Sequence, residues 1–459
     1  MKSIDTRGSA LIHSNSFWER SHAPPLASSH AHKGVPVKLT PRRLLVPVAA
    51  AVAAASLVLT GCSSGDTPSD PNAPVTLTVA TFNDFGYTDA LLKEYTASHP
   101  NVKIVHNRAA TSNEARENYF QKIGKSGLAD VEAIEVDWLP EVMKYSDLLA
   151  PVDAKLKDRW LDWKTAAATD KDGNLIGYGT DIGPEAVCYR SDLFAAAGLP
   201  TDREAVAKLL QGDWDHYFDV GAKYTAATGK PFFDSAGGTY QGIVNQIEAA
   251  YEDPKSGEVT ATTNAEVKTA YDKVLKASKT QSAHLSQWSP DWMKGLSNGS
   301  FATMLCPGWM LGVISGNAKG VKGWDIANVF PNGGGNWGGS YLTVPKNGKN
   351  VKAAQELADW LTDPAQQMKA FSNAGTFPSQ QKALTDKTLL GSTDKYFNNA
   401  PVGKILSERA KAVTVAPFKG QRYFPINDAM QKALTRVEER TQDAETSWKQ
   451  WTDEVTALK

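Results

Sequence analysis

The sequence predicts an α/β protein of two lobes with a cleft between them, and three observations carry that prediction. The chain has 459 residues, more than one ordinary hydrophobic core encloses and comfortable for two. Strand-like and helix-like segments alternate from residue 75 onward, the pattern of a parallel sheet covered by helices on both faces. At 176–189, IGYGTDIGPEAVCY, glycines and a proline interrupt an extended run, as expected where a chain leaves one lobe for another.

The N-terminal 61 residues read as a leader. Residues 44–59, LLVPVAAAVAAASLVL, follow Lys38, Arg42 and Arg43, the basic and apolar regions of a signal peptide. The run is shorter than the ~20 residues of a membrane-spanning helix. It ends in Leu59-Thr60-Gly61-Cys62, which is similar to a bacterial lipobox. Cys62 is therefore expected to carry lipid and to hold the protein on the extracellular face of the cytoplasmic membrane. Residues 62–74, rich in Ser, Gly, Asp and Pro, would be the tether. Residues 1–37 are too long and polar for the same signal, and no Met lies between Met1 and Met143, so translation is expected to start near 35–37.

Beyond the leader, VTLTVATF at 75–82 alternates and is rich in β-formers, a first strand. A helix over 89–98 would turn Leu91, Leu92 and Tyr95 inward. A strand at 102–106, a helix at 114–125 and a strand at 131–136 follow. In such sheets ligands bind at the loops after the carboxyl ends of strands, which singles out Asn83, Asp84, Asp137 and Trp138. After the crossing, Ser191 or Asp192 can cap a short helix that Gly198 ends. Residues 323–341 read as a Gly-rich loop, 353–361 and 364–374 as a helix pair broken at Asp363-Pro364, and 427–456 as helical.

Charge and cysteine narrow the function. The chain holds 49 basic and 50 acidic residues, and removing the seven basic and two acidic residues of 1–61 leaves 42 against 48. A phosphate-binding surface needs the opposite excess, so nucleic acid is excluded as a partner. Beside Cys62 only Cys188 and Cys306 remain, either a disulfide of an exported protein or two reduced core thiols. H-E-x-x-H does not occur, and His99, His106, His216 and His284 have no metal spacing. No cofactor or metal is expected. An exported carbohydrate-active enzyme, with two carboxyls flanking a glycosidic bond, and a lipid-tethered adhesin are the rival classes.

Several segments together resemble the family 1 extracellular solute-binding proteins, the sugar receptors of ABC importers. They are the lipobox, YRSDLFAAAGLP at 189–200, NGSFATMLCPGWMLG at 298–312, WGGSYLTVPK at 337–346, ADWLTDPAQQMKAF at 358–371 and GTFPSQ at 375–380. SQWSPDW at 286–292 and WDIANVFPNGGGNWGGSY at 324–341 look like the actinobacterial cello-oligosaccharide receptors. The resemblance implies a periplasmic-binding-protein-like fold with discontinuous lobes that close on a hinge. Lobe one would be 75–182 with 342–387, and lobe two 183–338 with 388–459. It implies a monomer that binds an oligosaccharide, cellobiose or a cello-oligosaccharide first, and passes it to membrane permease subunits served by a cytoplasmic ATPase. A different sugar or small solute is the alternative.

A sugar offers hydroxyl rims and apolar C–H faces, so its site needs aromatic platforms and planar polar groups. Trp309 matches the family's stacking aromatic, and Asp181 its hydroxyl-binding carboxylate at the crossing. Trp337, in the Gly-rich loop, is a platform or a loop anchor, and Trp138 a platform or a core residue. Asn83 and Asp84 either bind hydroxyls or form an Asx turn. Glu185, Tyr240, Gln241, Ser340, Phe377 and Arg422 complete the expected set, with Tyr240 and Gln241 on a matching ligand loop. Trp288 and Trp292, four apart, read as core.

Overall fold

The computed structural model describes residues 73–458. The leader, Cys62 and all but the last two residues of the tether lie outside the described residues. Among the described residues ten strands run in chain order as β1 (Val75–Phe82), β2 (Val102–Ala109), β3 (Val131–Glu135), β4 (Tyr178–Gly179), β5 (Asp181–Ile182), β6 (Glu185–Arg190), β7 (Thr303–Pro307), β8 (Trp324–Ala327), β9 (Ser340–Thr343) and β10 (Phe377–Pro378). Two sheets of three or more strands form. One has the order β2-β1-β3-β9-β4, the other β7-β6-β8, and β10 pairs with β5 in a separate two-stranded ribbon.

The first sheet grows as its pattern predicts. β1 pairs in parallel with β2 and β3, and each connection is a helix with a side-chain cap. Thr88 accepts a hydrogen bond from the Leu91 amide to start Asp89–Ser98, and Thr111 accepts from Glu114 to start Ser112–Lys122. Leu91, Leu92 and Tyr95 face inward as expected. His99 stacks on Tyr95 with ring centroids 4.0 Å apart at that helix's end. β9, which arrives from far along the chain, runs antiparallel to β3 and β4. The sheet is therefore mixed.

The second sheet departs from the parallel expectation altogether: β6 pairs antiparallel with both β7 and β8. Its strands come from the end of the crossing, the 298–312 segment and the Gly-rich stretch. Long helical connections separate them, six helices between β6 and β7 and helix Met310–Asn317 between β7 and β8. The stretch 323–341 is thus not one loop, because it supplies β8 and the start of β9. Cys188 and Cys306 sit diagonally across β6 and β7, with Cα atoms 5.4 Å apart and their sulfurs bonded.

Helices fill in around the sheets. Ser191–Ala196 has Arg190 at its N-cap, so neither Ser191 nor Asp192 caps it. Asp192 instead accepts from the Arg190 guanidinium at 2.8 and 2.7 Å. The pair Val351–Leu361 and Pro364–Ala374 breaks where expected, with Asp363 capping the second. The C-terminal stretch is two helices, Tyr423–Glu438 and Ala444–Thr456, because Asp443 starts a new one. One apolar cluster joins β1 and β3 to Leu342, Leu357 and Ala370. Another joins Val187 and Leu305 to helix Trp214–Thr228 and the C-terminal pair. These are the two main cores, and a third cluster joins Cys188, Cys306, Trp292 and Trp324 to Phe371, Phe377 and Phe397.

Candidate functional site

A cavity of about 440 Å³ opens between the two cores. Its first wall comes from the carboxyl ends of β1 and β3, the place where side chains leave a sheet without being packed by it. Asn83, Asp84 and Phe85 follow β1, while Glu135 and Asp137 end β3. Asp181 and Ser340 form the floor. The opposite wall holds Ser235 and Gln241 from helix Ala236–Val244 with its cap, Asn427, Asp428 and Gln431 from Tyr423–Glu438, and three tryptophans.

Those tryptophans are Trp288, Trp309 and Trp337. Trp309 follows β7, and its ring stacks on Trp288 at 6.0 Å and 22°. It meets Trp337 edge-on at 5.7 Å and 90°. The Trp309 Nε1 donates to the Trp337 carbonyl at 3.0 Å, which satisfies the one polar atom of a ring that lines the cavity. Gly183 permits this approach: a Cβ there would stand 1.7 Å from the Trp337 carbonyl oxygen and 3.3 Å from Trp309 Nε1. Trp288 has φ 70°, a left-handed conformation that costs a bulky residue about 1–3 kcal/mol. Surrounding structure holds it there, which takes its ring out of the helical register that made it read as core. Trp292 does pack in the core, its Nε1 donating to Asp234 at 2.9 Å.

Polar groups surround the rings. Asp181 accepts from the Thr180 hydroxyl at 2.7 Å and from the Ser340 amide at 3.0 Å. Burial pushes its carboxyl up, and the buried Lys164 ammonium pulls it back. Burial, then the charge of Asp137, pushes Glu135 well above the usual carboxylate range. Asp137 is ion-paired with Lys419. Burial works against the Lys419 charge, but Asp137 overcomes it and raises the ammonium above its ordinary value. On the far wall Gln241 accepts from Asn427 at 2.8 Å and donates to Asn245 at 3.0 Å. Asp234 lies behind the wall and accepts from Gln287 at 2.8 Å, which aims that amide. Such supported amides and carboxylates can chelate neighbouring hydroxyls without reorganising.

Eight of the thirteen ligand residues expected from sequence line this cavity: Trp309, Asp181, Trp337, Asn83, Asp84, Asp137, Gln241 and Ser340. Asp84 does so while also making the Asx turn, its carboxylate accepting from the Gly86 amide at 2.9 Å. The other five lie elsewhere. Trp138 is fully buried against Tyr119 and Phe120, with Nε1 donating to Ser112 at 3.0 Å. Tyr240 does not line the cavity, its hydroxyl 3.0 Å from that of Tyr251, because one step along the helix turns it about 100° away from Gln241. Glu185 is buried behind Gly335. Phe377 packs edge-on against Phe371 at 5.4 Å. Arg422 donates to the Leu458 carbonyl at 2.8 Å and borders a different, apolar cavity. Sequence reasoning missed Glu135, Trp288, Gln287, Asn427, Asp428 and Gln431. Glu135 was within reach, one residue inside a strand end already singled out.

Comparison with known proteins agrees with this architecture. A family model described as bacterial extracellular solute-binding protein matches residues 90–395. A crystal structure of an extracellular solute-binding protein family 1 member is 47% identical, with a TM-score of 0.74, covering 84% of this chain and 99% of that one. The arabinooligosaccharide-binding protein of Bacillus subtilis is 26% identical over 324 residues, 66% of this chain and 72% of that protein. The ABC transporter associated binding protein from B. animalis subsp. lactis Bl-04, solved with beta-1,6-galactobiose, has a TM-score of 0.69 at 19% identity, covering 82% of this chain and 96% of that one. This chain belongs to the family of bacterial extracellular solute-binding proteins.

Proposed function

We propose that this protein captures an oligosaccharide in the cleft and presents it to the permease of an ABC importer. The observation that carries the reading is the tryptophan cluster: three half-buried rings line a cavity whose other walls offer amides, hydroxyls and carboxylates. Sugars need that combination of platform and hydroxyl acceptors. The arabinooligosaccharide-binding relative supports a sugar of more than one unit, and cellobiose or cellotriose is the first choice for the specific ligand. The lobes are 75–182 with 342–387 and 183–338 with 388–459. Ligand that bridges them binds the closed state better than the open one, and that difference alone shifts the population. Lipid on Cys62 keeps the receptor beside its permease.

Thermal shift against cellobiose, cellotriose, maltose, xylobiose, arabinotriose and lactose tests the reading. A ligand of the native state alone stabilises by RT ln(1 + [L]/Kd), so a selective rise in Tm with cellobiose or cellotriose is the expected outcome. A rise with another member keeps the receptor and discards the cellulose link. No rise with any of them, in protein stripped of carried-over ligand, counts against an oligosaccharide.

A further inference from the structure

The segment that carries Trp288 into the cavity wall has a strained backbone. It joins helix Ala265–Gln281 to helix Pro290–Asn298. Two of its residues, His284 at φ 54° and Trp288 at φ 70°, are left-handed without being glycine. The Ser289 amide donates to the Ser286 carbonyl at 3.1 Å, so Trp288 is the third residue of a tight turn. Turns with positive φ at that position ordinarily carry Gly or Asn. A bulky ring keeps such a conformation only where its surroundings over-determine it.

Asp234 stands where that hold is needed. It is buried, and hydrogen bonds rather than a cation balance its charge. One oxygen, Oδ1, accepts from the Ser235 amide at 2.8 Å, at the cap of helix Ala236–Val244. The other, Oδ2, accepts from Gln287 Nε2 at 2.8 Å and from Trp292 Nε1 at 2.9 Å. Those two donors flank Trp288 in the chain, one residue before it and four after. The Asp234 carbonyl also accepts from the Leu285 amide at 3.1 Å. One buried residue thus pins the chain on both sides of the left-handed position. Between the pins, the Trp288 ring lies 6.0 Å from that of Trp309 and 5.5 Å from that of Trp292. The other left-handed residue is tied in a similar way: buried Glu438 accepts from Ser282 at 2.5 Å, and the Ser282 oxygen accepts from the His284 amide at 2.9 Å.

We infer that Asp234 is a positioning residue of the sugar site, which does not line the cavity but holds Trp288 in its left-handed turn as a platform beside Trp309. The inference rests on the sugar-receptor reading and adds to it a residue that acts without touching the sugar. A platform fixed before the sugar arrives need not be ordered on binding, and affinity gains by that difference. Keeping a carboxylate buried works against stability. Burial pushes Asp234 up to about 6, although Gln287, Trp292 and the Ser235 amide pull it down. The same three donors would lose their acceptor if the carboxylate were replaced by an apolar group.

Fluorine NMR of protein labelled with 5-fluorotryptophan tests the positioning, with the Trp288 signal assigned through Trp288→Phe. Calorimetric titration tests its effect on binding, with the sugar of the panel above that raises Tm most. Asp234→Asn keeps the volume but leaves one oxygen for three donors, and Asp234→Ala removes both oxygens. A thermal scan establishes that each is folded, and Asp234→Asn decides if Asp234→Ala is not. The Trp288 signal should shift or broaden in Asp234→Asn while that of Trp138, in the other core, stays in place. Sugar binding should weaken at least fivefold in Asp234→Asn and at least tenfold in Asp234→Ala. In a Trp288→Ala background the effect of Asp234→Asn should fall below twofold, because a residue that acts through Trp288 then has nothing to position. A loss of the same size with and without Trp288 overturns the inference. So does an unmoved Trp288 signal, or undiminished affinity in folded Asp234→Asn, and each of these leaves the receptor reading standing. Binding of no panel sugar by the natural protein overturns the receptor reading and takes the platform role with it.

Discussion

Trp309 and Trp138 show how far a residue's type and position reach. Both follow a strand, and both read as platforms, yet one stands at the cavity and the other is sealed beneath helix Ser112–Lys122. The difference lies in which helix covers each ring, and that is a tertiary fact no local pattern carries. Their substitutions should therefore fail in different ways. Trp309→Ala should weaken sugar binding at least tenfold, about 1.4 kcal/mol, with the melting temperature little changed, as titration and a thermal scan would show. Trp138→Ala should cost about 3–5 kcal/mol of stability in denaturant unfolding. Trp288→Ala should resemble Trp309→Ala, although its spacing from Trp292 suggested a core residue. A left-handed backbone at Trp288 breaks the helical register, and sequence spacing presumes that register.

At the scale of elements, local signals were read well and pairings were not. The helices expected after β1 and β2 form, the second beginning two residues early at Ser112, and the break at Asp363-Pro364 falls where the residues place it. The antiparallel second sheet was not visible, because β6 lies over a hundred residues before its partners β7 and β8, and no local pattern carries a pairing at that distance. The bond between Cys188 and Cys306 ties β6 to β7 across a separation of 118 residues. Replacing both cysteines by alanine should lower the unfolding free energy by about 2–5 kcal/mol, measured by urea titration, and an unchanged midpoint would deny the bond a structural part. Gly183 joins the hinge strand to the tryptophan cluster, since its amide donates to Asn336 at 2.9 Å and its carbonyl accepts from Trp337 at 2.8 Å. Gly183→Ala forces its new Cβ against the Trp337 carbonyl. It should cost about 1–3 kcal/mol and weaken ligand binding as well, whereas an alanine tolerated in both assays would show the contact to be slack.

The whole molecule carries a pH dependence set by its buried acids. Burial pushes Glu185 up to about 8, Glu132 to about 7 and Asp234 to about 6. Each holds its proton more tightly folded than unfolded. Their contribution to stability is full below the ordinary carboxylate range and is lost as pH rises toward the folded values. Glu185→Gln removes the most shifted of the three. It should flatten the fall in stability between pH 5 and pH 8 by on the order of 3 kcal/mol, seen as a higher denaturant midpoint than the natural protein at pH 8 and a similar one at pH 4.5. A midpoint gap that is the same at both pH values would show that Glu185 does not titrate in this window. The cleft is the centre of the account, and occupancy of it by a sugar is the claim on which the rest depends. Calorimetric titration of the natural protein and of Trp309→Ala with the same oligosaccharide panel measures that directly. The account predicts one-to-one binding of at least one oligosaccharide by the natural protein and a loss of tenfold or more in the folded variant. Binding that is undiminished in the variant, or absent from the natural protein across the panel, would contradict it.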